Sequence, residues 1–351
     1  MTYALPPPTP AADQARLTVA ATAVNRADLL QAAGAYPPPP GVTPVLSFEA
    51  AGTVLDAPAG VGLERGDRVA ALLQGGGYAD VAVADAGCVV RLPNPWAAAP
   101  DWAVRGAAVM EAWVAAYQLL LLGGCVRPPA AGGGGVPPRR AAPWAGTPSV
   151  PPPPPPPRSV LLTAAAGGVG TAAVQLAAAH FGLPTVIASA ATPGRRAAVG
   201  ALGATATVPR PPVAVVPRGA PCAYADAVRA AVGGDGGVDL LLDAVGGGAA
   251  WAAHSRLLGP DGVWVLYAAL GGGRTAGPVS VAALLSQRLT VVATTLRGRP
   301  RPYREGLVAA FGRAVLPELA PGGGGGGDTK GCRGGRAPVI PPAMGLEGAE
   351  A

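Results

Sequence analysis

The run Ser159-Val160-Leu161-Leu162-Thr163-Ala164-Ala165-Ala166-Gly167-Gly168-Val169-Gly170 constrains the fold more than any other part of the chain. A buried-strand run breaks into glycines, and Thr171 to Phe181 then carries Val174, Ala177, Ala178 and Phe181 at the spacing of one helix face. Strand, glycine turn and helix follow one another without a gap. Thr185 to Ser189 reads as the next strand, Ala223 to Val232 as a helix, and Val238 to Asp243 and Val263 to Tyr267 as further strands. Strands alternating with helices imply an α/β fold with a parallel, doubly wound sheet.

The turn Ala164 to Gly170 sits where a dinucleotide site needs backbone rather than side chain. Glycines let a pyrophosphate approach main-chain N–H groups at the positive end of the following helix. Ala166, Gly167, Gly168, Val169 and Gly170 are therefore candidate cofactor contacts; a tight turn without ligand is the alternative. An acid at the end of the next strand would accept from a ribose 2′-OH and repel a 2′-phosphate, and no Asp or Glu occurs from Ala112 to Ala225. Thr192, Arg195 and Arg196 instead offer a hydroxyl and two guanidiniums, which selects NADPH as cofactor unless these arginines are simply solvated. Val245 and Gly246, and Tyr267, Ala268 and Leu270, lie at the ends of two further strands, where open sheets bind ligands. Ordinary strand-ending turns are the alternative there.

Upstream, RLTVAATAV, FEAAGTVLD, DRVAALL, YADVAVAD and CVVRL are short apolar runs separated by Gly and Pro turns, the pattern of a barrel-like β domain. Trp113 to Leu122 follows as a helix stopped by Gly123 and Gly124. The 53 glycines and 42 prolines exceed a quarter of the 351 residues, so not all of the chain need be folded. Residues 125–158 hold 13 prolines and no apolar periodicity, reading as an exposed insertion that is either a disordered loop or a ligand for a proline-recognising domain. The organisation is thus a β domain over 1–124, that insertion, an α/β domain over 159–320 and a loose Gly-rich tail over 321–351.

Net charge is +6, yet only 13% of residues are charged and the arginines are scattered, which argues against nucleic acid as a partner. Cys88, Cys125, Cys222 and Cys332 form no CxxC pair or disulfide framework, which points to a reducing compartment, the cytoplasm. No stretch reaches the roughly 18 apolar residues of a membrane span, and Met1 to Pro10 is no signal sequence.

Asn25-Arg26-Ala27-Asp28-Leu29-Leu30-Gln31 followed by Gly34-Ala35-Tyr36-Pro37-Pro38-Pro39-Pro40-Gly41 resembles a signature of the zinc-free quinone oxidoreductases within the medium-chain dehydrogenase/reductase family. Phe48-Glu49-Ala50-Ala51-Gly52, Gly66-Asp67-Arg68-Val69, Gly75-Gly76-Gly77-Tyr78-Ala79, Leu202-Gly203-Ala204, Asp243-Ala244-Val245-Gly246-Gly247, Trp264-Val265-Leu266-Tyr267 and Thr294-Thr295-Leu296-Arg297 continue it in order. The resemblance implies a GroES-like substrate domain, a Rossmann domain, a cleft between them, a homodimer, and NADPH-dependent reduction of a quinone. An enone or acyl thioester as acceptor, as in enoyl reductases of similar fold, is the second reading, and NADPH binding without turnover the third. Asn25 and Tyr36 are the catalytic candidates, orienting nicotinamide and acceptor carbonyl; alternatively Asn25 caps a helix and Tyr36 packs against its proline turn.

Zinc members of the wider family carry Gly-His-Glu where this chain has Ser47-Phe48-Glu49, so no metal set is expected. Relative to the family pattern, the chain begins inside the second strand and lacks the final helix and strand, so either the sequence is incomplete or its function is reduced. The proline-rich stretch Thr205 to Pro221 replaces a segment that in the family supplies a Tyr near the 2′-phosphate.

Overall fold

A computed structural model describes residues 8–126, 155–204, 214–217, 221–233, 236–248 and 250–319. Most of the Pro-rich insertion, residues 205–213 and 218–220, and the tail 321–351 lie outside them. Two compact units emerge, one from the chain up to Ala115 together with the segment from Thr295 on, the other from Ala116–Thr294.

The first unit opens with strand β1 (Gln14–Ala21), whose alternation buries Ala15 and Leu17 while Thr18 faces out. Helix α1 (Arg26–Ala32) follows, then β2 (Glu49–Asp56), β3 (Arg68–Leu72), β4 (Val81–Asp85) and β5 (Val89–Arg91). These strands pair antiparallel in the order β4-β1-β2-β3-β5. Their inward residues, among them Leu17, Val54, Val69 and Leu73, make one apolar core. Short helices α2 (Asn94–Ala97) and α3 (Trp102–Ala107) follow, and α4 (Glu111–Leu122) carries the chain from one unit into the other. It starts two residues before the expected Trp113, which puts Glu111 in its first turn.

In the second unit β6 (Ser159–Leu162) leads through the glycine turn into α5 (Gly168–Gln175), which widens into a π-helical turn over Leu176–His180. Then come β7 (Thr185–Ala190), α6 (Pro193–Ala204), β8 (Ala214–Pro217), α7 (Pro221–Val232), β9 (Val238–Asp243), α8 (Ala250–His254), β10 (Leu258–Leu266), α9 (Val281–Ser286) and β11 (Thr290–Ala293). All six strands are parallel in the order β11-β10-β9-β6-β7-β8. β6 and β9 are buried almost throughout, as parallel strands covered on both faces must be. The order is that of a dinucleotide-binding Rossmann sheet, with its switch point between β6 and β9.

From Thr295 the chain returns to the first unit, whereas the sequence assigns residues up to 320 to the α/β domain. Helix α10 (Arg301–Ala314) buries Arg304, Leu307, Val308 and Phe311, one face at i, i+3, i+4 and i+7, and α11 (Leu316–Leu319) closes the described chain. Arg304 donates to Asp85 at the end of β4 over 3.0 Å, and Gly312 lies against Val90 of β5. A helix whose apolar face matches a sheet edge hundreds of residues upstream carries no local sign of its destination.

Candidate functional site

In the second unit, every expected cofactor contact lies beyond the carboxyl end of a strand. Gly167 caps α5 in an extended conformation, so the N–H groups of that first turn have no intrahelical partner. Gly167 and Gly168 are exposed, whereas Gly170 is buried, and a Cβ there would lie 2.6 Å from Ala165 Cα. Only glycine lets the helix start so close to the turn. An exposed glycine pair under a positive helix end fits a pyrophosphate.

Across the switch point, the turns after β9 and β10 clasp each other. Leu270 N–H donates to Ala244 O over 3.0 Å and Gly271 N–H to Val245 O over 2.7 Å. Gly247 runs so close to the second turn that a Cβ would fall 1.8 Å from Gly272 O. Thus the backbone groups joining Val245 and Leu270 to their neighbours are spent on the clasp, while Ala268 and Leu270 remain exposed and Tyr267 is half-buried.

Beneath the clasp lies Asp243, fully buried and fully engaged. Its Oδ1 accepts from Thr163 (2.9 Å) and from the Val245 N–H (2.8 Å), while Oδ2 lies 2.9 Å from His254 Nδ1 and accepts from Trp264 Nε1 (3.1 Å). Burial pushes its carboxyl up, but the bond and charge of His254, the Val245 N–H and Thr163 together hold it below the usual range. In the sequence Asp243 stands only at the start of a glycine-rich strand end; its partners are 80, 11 and 21 residues away.

After β7, Thr192 Oγ1 accepts from the Arg195 N–H over 3.2 Å, fixing the start of α6, and the Arg195 side chain is exposed. Arg196 reaches back to Ala191 O. These groups stand where a 2′-phosphate would follow the second strand of such a sheet.

In the first unit, Asn25 sits at the N-cap of α1, but its side-chain amide serves another element. Nδ2 donates to Glu49 Oε1 over 2.7 Å, and the Glu111 N–H donates to Glu49 Oε2 over 2.7 Å. Asp28 accepts from the Asn25 N–H and the Ser47 N–H, each over 2.7 Å, closing the first turn of α1 onto the Ser47 loop. Ser47 holds φ 77, a left-handed conformation that favours glycine. Burial pushes Asp28 up, Glu49 up to about 7, and Glu111, with Glu49 and Asp28 adding repulsion, up to about 8.

Arg297 stands among these acids. It is 8% exposed, donates Nη1 to Gln31 Oε1 (2.9 Å) and Nη2 to Gln74 O (2.6 Å), and has no partner at Nε among the described residues. Its guanidinium lies 4.5 Å from the Phe48 ring centroid and 5.4 Å from that of Tyr36, within cation–π range. Burial holds the Tyr36 phenol above its ordinary range, partly offset by Arg297. Asn25 and Tyr36 thus border one cluster, the first through Glu49 and the second through Arg297. In the sequence Glu49 and Arg297 stand inside motifs without a role of their own, and nothing marks Glu111. Separations of 62 residues between the two acids and 266 between Gln31 and Arg297 hide their meeting.

A zinc ion does not fit here. Both Glu49 oxygens are taken by N–H donors, Phe48 is apolar and buried, and no group of three His, Cys, Asp or Glu among the described residues could hold a metal. Cys88 and Cys125 are buried free thiols.

Residues 11–94 match the family model of the alcohol dehydrogenase GroES-like domain, and residues 168–312 that of zinc-binding dehydrogenase. A pikromycin polyketide synthase component of Streptomyces venezuelae is 44% identical over 84 residues, 24% of this chain, which spans only 2% of that protein's length. Among solved structures, the quinone oxidoreductase from Thermus thermophilus, determined also in complex with NADPH, is 27% identical with a TM-score of 0.61, covering 90% of this chain and 82% of its own. The CurF ER cyclopropanase from the curacin A biosynthetic pathway shares the fold, with a TM-score of 0.62 at 18% identity over 88% of this chain and 81% of that one.

Proposed function

The chain belongs to the medium-chain dehydrogenase/reductase family of oxidoreductases, and on that footing we propose that it is a zinc-independent reductase that uses NADPH to reduce a quinone. The observation that carries the reading is the meeting, at the switch point of the parallel sheet, of an exposed glycine pair at a helix start and a second glycine clasp held by Asp243. Gly167 and Gly168 would take the pyrophosphate, with Ala166, Val169 and Gly170 shaping the turn. Arg195 would meet the 2′-phosphate, beside a Thr192 hydroxyl that already accepts from the helix start. Val245, Gly246, Tyr267, Ala268 and Leu270 would line the nicotinamide half.

When bound, the nicotinamide supplies a hydride, and the protein's share is to bind, orient and stabilise charge. Tyr36 would serve as a hydrogen-bond donor to the acceptor carbonyl, because its phenol stays protonated at neutral pH. Asn25 would orient the nicotinamide from a fixed place, its Nδ2 committed to Glu49 and its side chain joined with Asp28 in the capping box of α1. The acceptor is taken to be a small molecule and the assembly a homodimer, as the motif resemblance implies, and the protein cytoplasmic, as its cysteine usage suggests; no helix among the described residues is long and apolar enough to cross a membrane.

A second reading, reduction of an enone or enoyl thioester, draws support from the likeness to the CurF ER cyclopropanase and the local match to a polyketide synthase. Steady-state NADPH oxidation with ortho- and para-quinones, enones and acyl thioesters separates the two. Tight NADPH binding with no acceptor consumed would instead favour a binding protein without turnover.

A further inference from the structure

The three acids around Arg297, namely Asp28, Glu49 and Glu111, are not equivalent. Asp28 and Glu49 each have both oxygens occupied by N–H donors. The Glu111 carboxyl accepts no such bond among the described residues; what acts on it is burial, repulsion from Glu49 and Asp28, and attraction to Arg297. Arg297, more than nine-tenths buried, keeps an unpartnered Nε among the described residues while its face rests on Tyr36 and Phe48. A half-buried carboxyl with its oxygens open, beside a buried cation with an unused N–H and a phenol, is a place built to receive a polar atom from outside the chain.

We propose that Glu111 is the proton donor of the reaction, protonating the acceptor oxygen while Arg297 stabilises the carboxylate left behind. This rests on the reduction of a carbonyl acceptor proposed above. Adding a hydride to a quinone or enone forms one new bond to hydrogen and leaves the displaced π pair on the acceptor oxygen as an anion. The Glu111 O–H bond then breaks, its pair stays on the carboxylate, and the proton completes the hydroquinone or enol. Solvent returns a proton to Glu111 before the next cycle. Hydride plus proton makes the two-electron reduction balance with no further reagent.

The acidity is suited to this. Facing Glu111 are Glu49 from β2, Asp28 from α1, Tyr36 from the loop after α1, and Arg297 from the returning segment. Together with burial they raise Glu111 from 4.5 to about 8, so it carries its proton at neutral pH and can still release it. Tyr36 is a far weaker acid. Glu49 is the positioning residue: by accepting from the Glu111 N–H it fixes the start of α4 and so the carboxyl's place.

The test compares full-length wild type, Glu111→Gln and Glu111→Asp. Infrared difference spectra of the cofactor-free proteins at neutral pH should show a protonated-carboxyl band that Glu111→Gln removes. In single-turnover oxidation of bound NADPH by para-benzoquinone, Glu111→Gln should slow the step on the order of 100-fold or more, with NADPH affinity unchanged. It should also lose the wild-type fall in rate above about pH 8 and the solvent deuterium isotope effect, and Glu111→Asp should recover part of the rate. Absence of the band, or a wild-type rate and pH profile in Glu111→Gln, overturns the assignment while leaving quinone reduction intact. A wild type that oxidises no NADPH with any carbonyl acceptor overturns the functional reading and this assignment with it.

Discussion

Asn25 donates its side-chain amide to Glu49 Oε1 across 2.7 Å, tying the N-cap of α1 to the first residue of β2. Because Glu49 is 1% exposed, truncation at Asn25 leaves a buried carboxyl short of a donor. Asn25→Ala should therefore cost about 1–3 kcal/mol in urea denaturation as well as reducing turnover. A variant as stable as wild type would show that the bond contributes nothing.

Tyr36→Phe should behave differently, since no hydrogen bond of its hydroxyl contributes to the described fold and the ring contacts with Phe48 and Arg297 survive. The melting temperature should stay nearly unchanged while single-turnover reduction falls about tenfold or more, the signature of an interaction realised in the transition state. Equal turnover in the two proteins would remove Tyr36 from the site.

Stability should decline with rising pH. Glu49 and Glu111 are raised from 4.5 to about 7 and about 8, so between the ordinary and the raised values the folded chain binds more protons than the unfolded one. Their stabilisation is complete below 4.5 and is lost as pH rises through the folded values, at about 1.4 kcal/mol per pH unit for each excess proton. Asp243, held below its ordinary 3.8, has the opposite sign but titrates beneath this window. Denaturation midpoints across the window should fall, and Glu49→Gln should flatten the slope; a wild-type profile that rises would contradict the assignment of both groups.

Asp243→Asn should destabilise the second unit by about 3 kcal/mol. An amide keeps one acceptor for Thr163 and the Val245 N–H but turns a donor toward Oδ2's place, where Trp264 Nε1 also donates. Calorimetry on the variant checks this. A melting temperature equal to wild type would mean that the network beneath the clasp bears little of the fold's stability.

Gly170→Ala should abolish cofactor binding or folding of that turn, because the new methyl would meet main-chain atoms of Ala164 and Ala165 at 2.6–2.7 Å and backbone cannot rotate aside. Gly194→Ala, at the exposed start of α6 with open space around its Cα, is the control and should bind NADPH normally. Normal binding by Gly170→Ala would show that the turn can relax.

Local pattern carries the α/β architecture, because period, glycine turn and buried apolar runs are short-range signals: Ser159 to Gly170 reads as strand and turn whatever surrounds it. Asn25 and Tyr36 are reachable through one contiguous motif. Glu111 is not, since a glutamate opening an apolar helix looks like a first-turn acid favoured by the helix dipole. Nor is Arg297, whose partners Gln31 and Gln74 lie on the far side of an entire α/β unit in the chain. Asp243 reads locally as the edge of a glycine turn, and only the fold brings Thr163, His254 and Trp264 onto its two oxygens.

Under the proposed function this chain holds NADPH and spends it on a quinone. Rapid mixing of the NADPH-loaded protein with para-benzoquinone, followed by the loss of reduced-nicotinamide absorbance in a single turnover, tests it most directly. One reduced nicotinamide should be lost per chain, faster than in the uncatalysed reaction, with NADH bound more weakly than NADPH and Arg195→Glu narrowing that gap by about 1–2 kcal/mol, since an exposed guanidinium is partly screened. NADPH that binds and stays reduced, or NADH bound equally well, would contradict it.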